Sequence, residues 1–464
     1  MFRFNIFIIS LAFSASLLYS FAADAATISS TSCSSTDVQN AINSARSGDT
    51  VIVLAGSCTW TSTVRISGKS ITLQGAGIDQ TNITDMGSGG AALIASVSAA
   101  NFVTVTGITF IHGIDHADGM VLFGGTAAQI GFRFHHNKVI YSSASSTRGV
   151  VVENGYGLID HNSFIFTGGS GSVQSVAIRG DEDGNDGGFT SWKRPLTLGT
   201  NNAVYIEDNT FTYSSQDEDC IDAYSGARLV IRHNTFNNIS VGFHGADSGF
   251  RRSVHSYEIY SNTFTNNSGT YLRGATLRGG TGVIYSNFYG GSTSWYGITP
   301  MSYRSCPPAD QGAWGTCDGT NYMLESMDLS DDGSRTCCIS GSRCNVKFCS
   351  NARDTLCTSD SQCPGGTCST YFDGSGPSGY PCRDQVGITT NQLPSPLYVW
   401  DNGSMSVEPY DGGTGCNINA IIMLNRDYYV NTAKPGYTAY TYPHPLSTDT
   451  LILLAPPTNL RVIQ

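Results

Sequence analysis

The stretch YLRGATLRGG places two arginines, Arg273 and Arg278, five residues apart in a chain that contains little positive charge. A guanidinium group is permanently protonated, and its planar fork matches the geometry of a carboxylate. Because the formal net charge is −11, binding of an anionic substrate would require a local group of positive charge. A few arginines on one surface are one way to supply it. The alternative is that both arginines are solvated or paired with nearby acids.

Acidic residues recur in two places that precede the arginines. Glu218 and Asp222 are four residues apart, and the earlier loop GDEDGNDGG contains Asp181 and Asp183. Several Asp and Glu oxygens together suit a hard cation such as Ca²⁺. A glycine-rich acidic loop can also be a hydrated turn, or bind calcium for stability alone.

The composition indicates the kind of scaffold that carries these residues. Only 13% of the 464 residues are charged, and 53 are glycine, which favours a turn-rich all-β protein over a helical one. The acidic balance disfavours binding to nucleic acid or to an anionic membrane surface, since both require clustered Lys and Arg.

Internal repetition is the strongest signal of architecture. Fragments such as HNSF, DNTF and HNTF recur, each after a short alternating run such as VYIED or LVIRH, which is typical of a strand. The intervals between the shared asparagines are 25, 47, 25, 28 and 25 residues, as expected for a solenoid with one turn per period. We predict a parallel β-helix in which the asparagines stack in a ladder and the following Phe fills the core. The predicted ladder is Asn137, Asn162, Asn209, Asn234, Asn262 and Asn287.

The first coil needs a cap, and the segment SSTDVQNAINSARSGD is predicted to provide a short helix. Ser35 or Thr36 would be the N-cap, with Val38, Ile42 and Ala45 on the buried face. The repeat pattern stops near Pro300, and the strand-like runs PLYVWDNGSMSV and NAIIMLNRDYYV follow a Cys-rich insert. We therefore expect a β-helix over 26–300, the insert over 301–385, and returning coils with a tail over 386–464.

The first 25 residues resemble a secretory signal peptide, with a basic residue, an apolar run and a small-residue cleavage site. No other stretch is long and apolar enough to span a bilayer. Ten of the fourteen cysteines lie between Cys306 and Cys382, and disulfides persist in oxidising compartments. We expect a secreted monomer with a disulfide-stapled insert of undetermined connectivity; zinc is the weaker alternative because the insert lacks His.

The order of these segments resembles the pectin-lyase-like superfamily of right-handed parallel β-helices over about residues 34–300. Residues 203–249 and the block YEIYSNTF…YLRGATLRGGTGVIYSNF are similar to pectate lyases, whose corresponding block carries R-x-P-x-x-R. Both arginines are kept here, with Ala275 in the proline position. A lysine that usually precedes the next strand of the family is replaced by Ser240, and the nearby His244 is a candidate substitute for binding substrate.

The resemblance implies an enzyme, a polysaccharide lyase that cleaves pectate or a related polyuronate by calcium-assisted β-elimination. Asp181, Asp183, Glu218 and Asp222 would bind calcium, the implied cofactor. Arg273 would take the proton next to the sugar carboxylate, and Arg278 would contact the substrate. Because free arginine is always protonated, this role for Arg273 requires a strongly cationic site.

Two other functions fit the same fold. A non-catalytic carbohydrate-binding or cell-surface β-helix would place the acids and the arginines on unrelated coils. A β-helix glycoside hydrolase would use paired carboxylates, but the NTD and RIK elements of the superfamily's hydrolases are not found in this sequence, and its DD pair lies in the Cys-rich insert.

Overall fold

The computed structural model describes residues 25–98, 100–125, 128–141, 146–168, 172–180, 189–217, 219–245, 252–302, 347–349, 352–370, 384–390, 393–413 and 417–448. Most of its strands run parallel in three long stacks, and the turns in the middle of the chain each add one strand to each stack, which is the geometry of a parallel β-helix. The predicted all-β solenoid is confirmed.

Sheet A has twelve strands and runs the full length of the solenoid. Its strands are Thr27–Ser29, Thr50–Val53, Ile71–Gly75, Val103–Thr106, Ile130–His135, Tyr156–Asp160, Val204–Glu207, Arg228–Arg232, Ser256–Tyr260, Thr281–Tyr285, Leu397–Trp400 and Tyr428–Val430. The last two strands lie in the segments PLYVWDNGSMSV and NAIIMLNRDYYV, which follow the Cys-rich insert.

Sheet B follows sheet A in each coil. Its strands are Gly56–Trp60, Thr81–Asp85, Thr109–His112, Lys138–Tyr141, Ser163–Phe166, Thr210–Asp217, Thr235–Ile239, Thr263–Thr265 and Phe288–Gly290. The third stack is sheet C and its continuation, sheet C′. The strands of sheet C are Val64–Ile66, Leu93–Val97, Val121–Gly125, Ser146–Glu153, Ser172–Arg179 and Ile221–Tyr224, and those of sheet C′ are Gly242–Phe243, Leu272–Leu277 and Trp295–Pro300. The His244 N–H donates to the Ala223 carbonyl, so the two sheets form one continuous face.

The corner between sheets A and B explains the repeated sequence fragment. The residue before each ladder asparagine has a φ between 51° and 57°, the left-handed conformation that lets the chain turn in two residues. From Asn162 onwards, each asparagine accepts, through Oδ1, the backbone N–H of the ladder asparagine in the preceding coil, at 2.9–3.1 Å, and Asn137 accepts the Ile108 N–H. The predicted ladder is confirmed, and it extends one rung further, to Asn402.

From Asn162 to Asn287, the aromatic residue two positions after each ladder asparagine points into the core. The predicted core Phe is confirmed at four of these positions, but after Asn287 the core ring is Tyr289 and the predicted Phe288 is 63% exposed. Neighbouring rings are 4.5–4.8 Å apart and within 7° of parallel. The stack consists of Phe164, Phe211, Phe236, Phe264 and Tyr289. Because the ring position repeats with the coil, the stack and the ladder hold all the coils in one register.

The helix Ser35–Ser44 covers the first coil, as predicted, and buries Val38 and Ile42. Its N-cap is one residue earlier than predicted: the Ser34 side chain accepts the Asp37 N–H. Ser35 and Thr36 belong instead to the first turn of the helix. The disulfide Cys33–Cys58 joins the start of the helix to the first strand of sheet B.

The remaining elements are short. The helix Phe189–Lys193 interrupts one coil, and the 3₁₀ turns are Asp360–Gln362 and Ile418–Ala420. The described part of the Cys-rich insert is a small antiparallel sheet of Lys347–Cys349, Ala352–Leu356 and Cys368–Thr370, stapled by the disulfides Cys349–Cys363 and Cys357–Cys368. The predicted signal peptide (apart from its last residue) and the C-terminal stretch LLAPPTNLRVIQ lie outside the described residues. No helix in the described ranges is long and apolar enough to cross a membrane.

A C-terminal strap, residues 432–448, folds back over the outer surface of sheet A. Beneath it Arg232 and Glu207, both 0% exposed, form an ion pair at 2.7 Å. The Arg232 guanidinium also donates to the carbonyls of Tyr440 and Thr441, and the His444 N–H donates to Glu207. A buried charge pair is tolerated only when its remaining hydrogen bonds are made, and here the strap makes them.

The strap also reaches the earlier coils. Arg133 forms a buried pair with Asp160 and donates to the carbonyl of Ser447 in the strap. Near the other end of the strap, the Tyr437 hydroxyl donates to the buried carboxylate of Glu258. The strap therefore bridges coils that are far apart along the solenoid axis.

His444 makes the strap sensitive to acid. Its Nδ1 accepts the Leu446 N–H, which requires a neutral ring, and burial together with nearby Arg232 lowers its pKa from 6.5 to about 4. The unfolded chain therefore binds a proton that the folded chain takes up only near pH 4. The contribution of neutral His444 to the free energy of unfolding is complete above pH 6.5 and is lost as the pH falls towards 4.

We expect the free energy of unfolding to fall between near-neutral pH and about pH 4, with His444 contributing about 3 kcal/mol of the change. Urea unfolding at several pH values checks this. In His444→Gln the decrease should be smaller by that amount. An identical pH dependence in the variant and the original protein would contradict the assignment.

Candidate active site

The outer face of sheet C carries a chain of hydrogen-bonded polar side chains. Ile221 and Ala223 point into the core, so Asp222 between them lies on the outer face, where it is nevertheless fully buried. Gln174, one strand earlier, donates from Nε2 to Asp222 Oδ2 at 2.7 Å. Arg148, one strand earlier again, donates from Nε to Gln174 Oε1 at 2.6 Å. Asp222 is thus held rigidly from one side.

His244 meets Asp222 from the other side. Phe243 points into the core, so the next residue, His244, faces outwards. Its Nδ1 lies 2.7 Å from Asp222 Oδ1, and its side chain is 19% exposed. With Nδ1–H donated to the carboxylate, the neutral ring carries its lone pair on Nε2. Such an arrangement prepares a histidine to accept a proton at Nε2 and stabilises the imidazolium that results.

Arg278 lies beside His244 on the neighbouring coil. Phe243 pairs with Leu277, which places the residues that follow them, His244 and Arg278, about one strand spacing of 4.8 Å apart. Arg278 donates from Nε to the Phe243 carbonyl at 3.2 Å and is partly exposed. A histidine held by a carboxylate therefore lies next to a guanidinium at the protein surface.

Arg179 lies on the same face, next to Tyr224. Its guanidinium carbon lies 5.8 Å from the ring of Tyr224, which in turn contacts His244 with ring centroids 5.9 Å apart. Arg179 and Arg148 both donate to the Ala117 carbonyl at 2.7 Å, which holds the loop at 113–119 against the sheet. Arg148, Arg179 and Arg278 thus lie on the same face as the Asp222–His244 pair, and the charge of Arg179 is partly offset by carboxylates of Asp118 and Glu153 at 3.9 and 3.8 Å.

Arg273 is positioned differently. Arg273 lies three residues before Thr276, which pairs with Gly242. Arg273 is therefore about 10 Å away from that pair along the strand direction. Its guanidinium lies against the rings of Tyr296 and Tyr410, at 5.7 and 4.5 Å, in the coils that follow. Asp222 lies two strands away in the opposite direction along the axis. The structure brings Asp222, His244 and Arg278 together and places Arg273 in a separate environment.

Three of the four predicted calcium ligands, Asp181, Asp183 and Glu218, lie outside the described residues. Both oxygens of the fourth, Asp222, already accept hydrogen bonds from protein side chains. Calcium takes six to eight oxygen ligands, so the described residues do not by themselves fit a calcium site. Within the described ranges, one group of three or more potential metal-ligating side chains is close enough to bind one ion, and it consists of the disulfide-bonded Cys349, Cys357 and Cys363.

The two departures from the pectate lyase pattern lie inside the protein. Ser240 and Ala275 are both fully buried. Neither side chain is therefore available to a substrate, and the lysine that the family places near position 240 has no direct replacement there. His244, four residues later, is the polar group that reaches the outer face.

Arg148, Gln174 and Arg179 were not predicted from the sequence, although the spacing of Arg148, Gln174 and Asp222 indicates that they lie on neighbouring strands. Arg148, Gln174 and Asp222 are separated by 26 and 48 residues, close to the spacing of the ladder asparagines. Polar residues that recur at the coil period on the outer side of a strand are expected to become neighbours.

The sequence matches no family model, and no curated protein matches it significantly. Among solved structures, the chain is similar to an alginate lyase from Paenibacillus sp. str. FPU-7, with 14% identity, 59% of this chain and 98% of that chain covered, and a TM-score of 0.32. It is also similar to the catalytic domain of a GH87 alpha-1,3-glucanase in complex with nigerose, with 9% identity, 89% and 68% coverage, and a TM-score of 0.25. TM-scores this low do not indicate a shared activity. The assignment of a β-helix is based on the strand pairing described above.

Proposed function

We propose that this protein is a secreted polysaccharide lyase that cleaves a polyuronate by β-elimination. The observation that carries the proposal is the Asp222–His244 pair, with Nδ1 and Oδ1 2.7 Å apart, next to Arg278 on one exposed β-helix face. Disulfides such as Cys33–Cys58 support export, because they persist in oxidising compartments.

The reaction follows from the roles these groups can play. His244 Nε2 accepts the proton from the carbon that bears the sugar carboxylate, and the electron pair forms a carbon–carbon double bond. The bond between the neighbouring carbon and the glycosidic oxygen breaks, and that oxygen takes up a proton from water, while the His244 imidazolium releases its proton to water. Asp222 stabilises the imidazolium, and Arg278 contacts the substrate carboxylate as negative charge develops on it.

We assign proton abstraction to His244 and not to Arg273, the residue that the pectate lyase resemblance implies. An arginine can act as a base only in a site that lowers its pKa drastically. Arg273 lies against two tyrosine rings, an arrangement that favours the cation. A histidine whose orientation is fixed by a carboxylate needs no such perturbation.

A calcium requirement is a separate part of the proposal and rests on the sequence of the two acidic segments. Asp181, Asp183 and Glu218 would supply the oxygen ligands that the described residues lack. When bound, the ion would lower the charge on the substrate carboxylate. The steps above use only His244, Asp222 and Arg278.

The test is incubation with pectate, alginate and a neutral glucan, with calcium or with a chelator. We expect ultraviolet absorbance from unsaturated sugar ends on at least one polyuronate and none on the glucan. New reducing ends without that absorbance would indicate a hydrolase and contradict the proposal. Binding without any cleavage would favour the non-catalytic carbohydrate-binding alternative. Activity that survives the chelator would remove calcium from the proposal while leaving the lyase assignment intact.

A further inference from the structure

Beyond the candidate centre, the same outer face carries large aromatic side chains exposed to solvent. Tyr271 and Tyr296 are 52% and 50% exposed, and their ring centroids are 5.3 Å apart. Tyr271 precedes the strand Leu272–Leu277 by one residue, and Tyr296 lies in the next strand of sheet C′. Neither ring is needed to fill the core, which is formed by the opposite side of these strands.

Arg273 connects these rings to a third. Arg273 pairs in register with Tyr296, and its guanidinium carbon lies 5.7 Å from that ring and 4.5 Å from the ring of Tyr410. Tyr410 is placed by a backbone bridge to Met301, one coil further on. The cation therefore lies against two aromatic rings at the surface, an arrangement that reduces its freedom before any ligand binds.

The aromatic platform, defined here as Tyr271, Arg273, Tyr296 and Tyr410, is continuous with the candidate centre. Arg273 and Arg278 belong to the same stretch of chain, and five residues of extended strand correspond to about 16 Å. A polymer lying on this face could contact both places at once, with a few sugar units between them.

We propose that the aromatic platform is a second sugar-binding subsite for an anionic unit of the same polysaccharide chain that reacts at His244. This inference rests on the proposed function. The carbon–hydrogen faces of a sugar ring pack on tyrosine rings, as apolar surface does on any aromatic side chain. Arg273 pairs with the sugar carboxylate, for which its planar fork is suited. The chemistry selects a polyuronate over a neutral glycan or an apolar partner, because a cation lies against the rings.

The position of the platform sets its effect on catalysis. A subsite away from the reacting unit contributes binding energy only when the substrate is long enough to reach it. Loss of the platform should therefore raise KM on long chains and leave kcat/KM on short oligomers unchanged. A residue that acts on the reacting unit would lower kcat on substrates of every length.

The experiment measures retention in native gels containing polygalacturonate or a neutral glucan, with His244→Ala as the background so that the polymer stays intact. We expect Tyr296→Ala and Arg273→Gln each to weaken binding to polygalacturonate about tenfold. Phe288→Ala is the matched aromatic control, since Phe288 is 63% exposed but belongs to sheet B. Arg65→Gln is the control for loss of an exposed arginine from the first strand of sheet C. Neither control should change retention.

The outcomes separate this inference from the proposed function. Unchanged retention in both platform variants, equal losses in the controls, or no retention of the background protein by polygalacturonate would each overturn the subsite. Equal losses of retention on the neutral glucan would overturn its preference for an anionic sugar. Failure of the lyase proposal is read independently, as the absence of unsaturated products from the unaltered protein.

Discussion

Replacing His244 with alanine is expected to lower kcat on a polyuronate by about 10²- to 10⁴-fold, the usual contribution of a positioned general base. The side chain is 19% exposed, and its removal leaves the backbone pairing of Gly242–Phe243 with the neighbouring strand in place. Asp222 Oδ1, however, loses its partner on a fully buried side chain, so thermal stability is also expected to fall, and thermal unfolding measures this loss separately from the rate. Initial rates of unsaturated product formation, followed across a range of pH, measure the effect.

Asp222, the partner of His244, allows a second test, which is the pH dependence of the rate. Asp222→Asn keeps the shape of the side chain but removes the charge that stabilises the imidazolium, so the pH profile should shift as well as the rate falling. His161 is the matched control: it also contacts a carboxylate, Asp160, at 2.9 Å, but it lies at the corner between sheets A and B. His161→Ala should keep full activity. Full activity in His244→Ala would remove this residue from the mechanism.

Replacing Arg232 with methionine is expected to lower the free energy of unfolding by about 3–5 kcal/mol, as is usual when one partner of a buried ion pair is removed. Glu207 would remain fully buried with its carboxylate facing an apolar side chain. The carbonyls of Tyr440 and Thr441 would also lose their donor. Urea unfolding at neutral pH measures the change.

Two companion variants test the physical reason. Arg65→Met removes an exposed arginine and should change the free energy of unfolding by less than about 0.5 kcal/mol. In Arg232→Met combined with Glu207→Gln, no unpaired charge is left, so part of the lost stability should return. If Arg232→Met were no more destabilised than Arg65→Met, the pair would not support the strap as described.

The repeat was readable from the sequence because the same local chemistry occurs in every coil. A left-handed residue followed by Asn and an aromatic residue two positions later specifies the corner, the ladder and the core stack together. Asn402 escaped prediction because 115 residues, including the Cys-rich insert, separate it from Asn287. Periodicity detects neighbours at a constant interval and fails where an insertion breaks the interval.

The candidate site was only partly predictable. Asp222, His244 and Arg278 were recognised from a pattern, but their grouping depends on register between strands. A bulge-free strand would place Arg273 and Arg278 on opposite faces, so spacing alone could not show which one lies beside Asp222. The contribution of Gln174 could not be recognised from residue type, because glutamine is common on solvated strands.

The strap has a consequence for the order in which the protein is synthesised. Ser447 accepts a hydrogen bond from Arg133, 314 residues earlier, and Tyr440 accepts one from Arg232, 208 residues earlier. While the chain is still on the ribosome, the coils that carry these arginines can stack, but the outer surface of sheet A stays hydrated until the strap emerges. Once the coils are stacked, only the residues after the strand Tyr428–Val430 remain to dock, so the last step closes a short segment onto the solenoid. We expect this docking to set when the protein becomes resistant to proteases.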